Sequence, residues 1–245
     1  MKKPAKTRLD QRVLDLDLAE TRSQARALVM AGKVTVDGEV RDKPGEAVAS
    51  SREVALLEKR KYVSRGGHKL EGPLDKLDID PQGLVCLDLG SSTGGFTDCL
   101  LQKGAARVFC VDVGKGLLDW KLRQDPRVEV REQTNARYLT GEDFPPLDLV
   151  LADLSFISLE LILPAAAPLL KEGGLALCLV KPQFEAGRDK VEKGGVVREE
   201  KTITDCVNRV SRAARGLSLA EAGRCPSPLQ GPKGNREVFV LFRKL

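Results

Sequence analysis

Residues 84–101 read LVCLDLGSSTGGFTDCLL, and the order of residue types in this stretch decides the fold. The apolar run from Leu84 to Leu89, closed by Gly90, has the form of a strand buried on both faces. A glycine-rich loop runs from Gly90 to Gly95, and a helix begins near Phe96. Strand, glycine loop and helix in that order open a doubly wound α/β sheet, where the first loop lies at the carboxyl end of its strand and ligands bind. The spacing of Gly90, Gly94 and Gly95 is not the G-x-G-x-x-G of a dinucleotide loop, and the loop lacks the Lys-Ser/Thr of a P-loop. A cofactor without a pyrophosphate fits better. Its candidate contacts are Asp88, Gly90, Ser91, Gly94, Gly95 and Phe96.

Outward from this stretch, apolar runs at 106–112, 127–131, 147–153, 174–181, 217–225 and 236–243 alternate with helical segments. They predict a seven-stranded, mostly parallel sheet whose last strand is free to run antiparallel. Asp112 closes the second strand, where it can accept hydrogen bonds from ribose hydroxyls. Asn135, after the third strand, is placed to border an adenine. The form D-x-G-x-x-x-G-G resembles the S-adenosylmethionine loop of class I methyltransferases, which implies that cofactor.

Composition adds an asymmetry. The chain has 245 residues, 40 Lys and Arg against 35 Asp and Glu, and a formal net charge of +5. Residues 1–65 hold 15 of the bases and 10 of the acids, so the remainder is balanced and all the excess lies in the first quarter. A basic segment suits a phosphate polymer, because each neutralised phosphate releases counterions. No apolar run approaches a membrane span and no apolar leader follows Met-Lys-Lys, which predicts a cytoplasmic protein without a membrane partner. Six cysteines without a C-x-x-C pair suggest neither a disulfide framework nor a metal site.

Near the N-terminus, Leu9, Val13 and Leu14 have helical spacing, and Thr21 with Gln24 forms a capping box opening a second helix through Met30. Gly32 ends that helix, and Val34, Val36 and Val40 flank an Asp37-Gly38 hairpin turn. The pattern R-x-x-A-x-x-x-V-x-x-G-K-V-x-V-D-G, from Arg22 to Gly38, resembles the alpha-L RNA-binding domain of ribosomal protein S-four type. That resemblance implies an RNA face carrying Arg22, Arg26, Lys33 and Arg41. Ser50, Ser51 and the charged run 58–61 read as a junction, placing the boundary near residue 60 and giving domains 1–60 and 61–245. Arg65, Gly66 and Gly67 read as flexible backbone before the next helix, with Arg65 a further RNA contact. His68, the one histidine, reads as an incidental loop residue, and Trp120 as a stacking or sheet-packing side chain. Phe184 and Glu185 either shape the substrate mouth or form a plain loop.

Side chains at the carboxyl ends of adjacent parallel strands converge on one cleft. Asp153 and Lys181 close two strands, Glu237 opens the last one, and Lys69 precedes the first. This set resembles the Lys-Asp-Lys-Glu tetrad of FtsJ-like ribose 2′-O-methyltransferases. The segments DVGKGLLDWKLRQDPRV, TNARYL, DLSFISL, LVKPQFEAGR, KGGVV and GPKGNREVF resemble, in order and over nearly the whole chain, the TlyA family, also labelled hemolysin A. The resemblance implies cytidine ribose methylation of ribosomal RNA on ribosomal subunits, with Lys69, Asp153, Lys181 and Glu237 as the catalytic set. Lys181 would sit beside the reacting hydroxyl, either removing its proton or stabilising the alkoxide. The competing expectations are a catalytically silent ribosome-assembly factor, a membrane-active hemolysin and a dinucleotide oxidoreductase.

Overall fold

The computed structural model describes residues 6–57, 61–187 and 190–245. The chain divides into two compact units, Met1–Arg60 and Lys61–Leu245. In the first, strand β1 (Lys6–Arg8) precedes helices α1 (Leu9–Asp15) and α2 (Arg22–Met30) and strands β2 (Val34–Val36), β3 (Glu39–Arg41), β4 (Ala47–Ala49) and β5 (Val54–Leu56). Leu9, Val13, Ala25, Val29, Val34, Val36 and Val54 close a small core. Thr21 caps α2 by accepting from the Gln24 amide at 3.2 Å, but Gln24 returns its bond to the Glu20 amide at 2.9 Å, one residue before the expected capping-box donor.

Asp37 and Gly38 both adopt positive φ, 49° and 81°, as a two-residue hairpin turn requires. β2 pairs with β3 across this turn and with β5 on its other edge, while β1 and β4 form a separate pair. The hairpin of β2 and β3 is announced by its turn, whereas β1, β4 and β5, of three residues each, carry too little alternation to be read in advance. Ser50 and Ser51 do not form a junction. They lie in the turn between β4 and β5, inside the first unit, because serine's small side chain suits a tight turn as well as a linker. Within the expected junction, residues 58–60 lie outside those described.

The second unit begins with α3 (Arg65–Lys76) and β6 (Val85–Leu89), followed by α4 (Gly95–Gln102), β7 (Arg107–Val111), α5 (Trp120–Arg123), β8 (Val128–Arg131), β9 (Leu147–Ala152), α6 (Leu163–Ala166), β10 (Leu170–Val180), α7 (Pro182–Glu185), α8 (Glu200–Arg215), β11 (Leu219–Pro226) and β12 (Val238–Lys244). The sheet has seven strands in the order β11-β12-β10-β9-β6-β7-β8. β12 alone is antiparallel to its neighbours β10 and β11. Successive residues of a strand face opposite sides, so along β10 Ala176, Cys178 and Val180 enter one core with Val207 and Val210 of α8. Leu177 and Leu179 enter the other, with Leu70 and Leu74 of α3. Helices on both faces explain why these strands read as unbroken apolar runs.

Arg65-Gly66-Gly67 is not a flexible lead-in, and His68 is not in a loop: all four lie in α3, whose first turn is capped by Ser64. The glycines serve close approach. A Cβ on Gly67 would lie 2.1 Å from the Tyr62 ring, and one on Gly95 would lie 2.9 Å from the Gly66 Cα, so the starts of α3 and α4 meet nearly backbone to backbone. His68 is exposed and meets the Tyr62 ring edge-on at 5.0 Å.

Candidate active site

The glycine loop is shaped by the end of β9. Gly90 has φ +83°, and a Cβ there would lie 2.8 Å from the Asp153 carbonyl oxygen, so a larger residue would force β6 and β9 apart at their ligand-facing ends. Gly94 has φ +91°, and its missing Cβ leaves room for Leu118 and Leu122. It does not itself line the cavity beside the loop, although Thr93 and Gly95 on either side of it do. Gly90, Ser91, Gly95 and Phe96 line this cavity of about 170 Å³, which also reaches Asp88, Ser64 and Gly66.

Asp88 is 1% exposed. One carboxylate oxygen accepts from Thr97 Oγ1 at 2.7 Å, and the other has no hydrogen-bond partner. Burial, reinforced by the charges of Asp153 and Asp112 and offset in part by Thr97, pushes its carboxyl up to about 7. An unpartnered buried carboxylate oxygen beside a cavity fits a cationic ligand group. Past the loop, a cavity of about 350 Å³ takes in Asp112, Thr134 and Asn135 together with Leu154, Ser155, Phe156 and Ile157. Asp112 is already engaged, accepting from the Ser92 amide at 2.9 Å and the Gly114 amide at 2.7 Å. Each of its oxygens retains a second lone pair. Asn135 is exposed at the rim and accepts from the Arg137 amide at 3.0 Å.

The register of the sheet assembles the charged cluster. Val180 pairs with Val238, so Lys181, just past the end of β10, and Glu237, just before β12, emerge at the same edge. Asp153 follows β9, and Lys69 comes from the second turn of α3. Lys69 Nζ lies 2.7 Å from Glu237 Oε2 and 3.6 Å from Asp153 Oδ2, and Lys181 Nζ lies 2.7 Å from Asp153 Oδ1. The signs alternate along Glu237, Lys69, Asp153 and Lys181, which offsets the cost of holding Glu237 at 2% exposure and Lys181 at 7%. Gln183 donates to Glu237 Oε1 at 3.0 Å, and Lys181 donates to Ser155 Oγ at 3.0 Å. Neither neighbour carries a signal in the sequence, since Gln and Ser are ordinary in loops.

A third cavity, of about 480 Å³, is lined by Arg65, Gly66, Lys69, Asp153, Gln230 and Lys233. Asp153 lines all three cavities. Of the other candidate RNA contacts, Arg26 and Lys33 are exposed, and Arg22 is exposed beside Asp10 at 3.7 Å. Arg41 is committed to Glu39 at 2.7 Å and Glu46 at 3.4 Å. Trp120 opens α5 at 71% exposure, so it does not pack on the sheet. Phe156 is 90% exposed with φ +66°, and its ring lies 5.0 Å from that of Phe184. Among the described residues, no group of three or more His, Cys, Asp or Glu could hold a metal ion, and no helix is long and apolar enough to cross a membrane.

Residues 62–244 match the FtsJ-like methyltransferase family, and residues 7–54 match the S4 domain. The 16S/23S rRNA (cytidine-2′-O)-methyltransferase TlyA of Mycobacterium tuberculosis is 46% identical over 241 residues, 97% of this chain and 90% of that protein. Hemolysin A of Brachyspira hyodysenteriae is 37% identical over 237 residues, 96% of this chain and 99% of that one. A solved chain from Streptococcus thermophilus, described as a candidate hemolysin, is 44% identical with a TM-score of 0.75, covering 98% of this chain and 89% of its own. A doubly wound sheet with this glycine loop and this family match defines a Rossmann-like methyltransferase. The chain belongs to the TlyA family, in which an S4 domain precedes an FtsJ-like methyltransferase domain.

Proposed function

We propose that the chain transfers a methyl group from S-adenosylmethionine to a ribose 2′-hydroxyl, that of a cytidine, in ribosomal RNA, with residues 1–60 gripping RNA and residues 61–245 carrying the chemistry. The observation that carries this reading is the alternating Glu237-Lys69-Asp153-Lys181 cluster, whose Asp153 lines three cavities. Asp88, with its unpartnered oxygen, would hold the cofactor's amino group, while Gly90, Ser91, Gly95 and Phe96 line that end and Asp112 and Asn135 the other. S-adenosylmethionine supplies an electrophilic methyl group on a sulfonium, and as the carbon–sulfur bond gives way to a carbon–oxygen bond the hydroxyl must lose its proton.

Lys181 sits beside that hydroxyl and handles its proton. Asp153 holds Lys181 in place and Lys69 holds Asp153, with Glu237 and Gln183 fixing Lys69 from behind. Because the array is preformed, alignment costs little at the moment of reaction. Arg65 and Lys233, on the wall of the third cavity, suit an approaching phosphate. Arg22, Arg26 and Lys33 supply the sequence-independent grip of the first unit. This reading puts the protein in the cytoplasm with its substrate.

The test is tritium transfer from labelled S-adenosylmethionine to small and large ribosomal subunits lacking the modification, followed by nuclease digestion. Label in 2′-O-methylcytidine supports the reaction and names the subunit. Label on a base, or none on any ribosomal particle despite measured cofactor binding, rejects it.

A further inference from the structure

A lysine nitrogen offers three N–H directions when charged, and two plus a lone pair when neutral. At Lys181, Ser155 Oγ accepts a hydrogen bond from Nζ at 3.0 Å, while Asp153 Oδ1 lies 2.7 Å away as the charge partner, without hydrogen-bond geometry. No other hydrogen-bond acceptor meets the nitrogen among the described residues. Ser155 lies two residues after Asp153, is exposed, and lines the same cavity as Asp153.

The segment carrying Ser155 is held in an unusual path. Phe156, its next residue, has φ +66°, a conformation that a bulky residue keeps only when its surroundings enforce it. Two and three residues beyond Phe156, the segment is fastened by Glu185. This buried carboxylate accepts from Ser158 Oγ at 2.6 Å and from the Leu159 amide at 2.8 Å, and Arg209 braces it while pairing with Glu160 at 2.5 Å. Glu185 ends the helix that Lys181 caps. The contacts therefore form a ring: Lys181 to Ser155, along the loop to Ser158, across to Glu185, and back through α7 to Lys181.

We infer that Ser155 is a positioning residue that orients the Lys181 amine, and that the Glu185 clamp exists to keep it there. The inference rests on the reading of Lys181 as the group beside the reacting hydroxyl. With one N–H bond fixed on Ser155 and the nitrogen drawn toward Asp153, the lone pair with which Lys181 takes the proton is turned to the hydroxyl. The substrate O–H bond breaks and an N–H bond forms there, leaving the new charge against Asp153. Without Ser155 the amine turns about its Cε–Nζ bond, and the lone pair faces the hydroxyl only part of the time.

Ser155→Ala and Ser155→Thr, assayed beside the wild type on ribosomal subunits at saturating cofactor, test this. Ser155→Ala should lower kcat by about 100-fold, the scale of a small misplacement at a reacting centre. KM for RNA, cofactor Kd and melting temperature should stay unchanged, and Ser155→Thr, which keeps the hydroxyl, should restore most of the rate. An undiminished kcat in Ser155→Ala overturns the inference alone. So does an equal loss in Ser155→Thr, or a loss matched by weaker cofactor binding or a lower melting temperature. A wild type that methylates no ribosomal particle overturns the underlying reading and the inference with it.

Discussion

Asp88 is the residue whose burial has the plainest thermodynamic consequence. Its carboxyl stands at about 7 in the folded chain against an ordinary 3.8, chiefly through desolvation. The folded state thus holds a proton that the unfolded state has already released, and stability is lost as pH rises through that window. Asp88→Asn, neutral throughout, should melt well above the wild type at pH 8, with the gap closing toward pH 5, as thermal melts across that range would record. A gap independent of pH would mean that the carboxylate is not desolvated. At the same scale, Asp153, Lys181 and Glu237 are conspicuous in the sequence as charges bounding apolar strands and Asp88 as a charge within one, whereas Lys69, on a helix, is reached only through the resemblance to the tetrad. Ser155 and Gln183 are legible in neither way, since their roles come from what the fold sets beside them.

Among the elements, the strands are legible for a physical reason: helices cover both faces of the sheet, so each strand is an apolar run with a sharp end. The start of α3 is hidden because glycine signals freedom when taken alone, whereas Gly66 and Gly67 are fixed by contact with Gly95 and Tyr62. Nothing local in the sequence announces that contact. The clamp between α7 and the segment after β9 belongs to this scale too. Glu185→Ala strands the Leu159 amide and Ser158 hydroxyl, a loss of about 1–3 kcal/mol for buried partners left unpaired, and it should lower the methyl-transfer rate along with it. Urea unfolding reads the first effect and kcat the second. A variant of wild-type stability and rate would show the clamp to be dispensable.

For the whole molecule, the proposed division of work between grip and chemistry follows the asymmetry of charge and the two compact units. Arg22 and Arg26 stand exposed on the first unit. Replacing both with Ala should weaken RNA binding and flatten its salt dependence by about one unit of slope for each phosphate no longer neutralised, with cofactor affinity untouched. Binding titrations from low to high salt measure this, and an unchanged slope would place the grip elsewhere.

Four charges brought together from α3 and the ends of β9, β10 and β12 form the cluster proposed to carry the transfer, with Asp153 lining all three cavities. Single-turnover methyl transfer to ribosomal subunits by Lys181→Ala beside the wild type, with cofactor affinity measured on the same preparations, probes that arrangement at its reacting end. Transfer should fall by about 10²–10⁴, the range of a positioned acid–base group, while cofactor affinity stays as it was. Transfer at the wild-type rate in Lys181→Ala would contradict the assignment of the chemistry to this cluster.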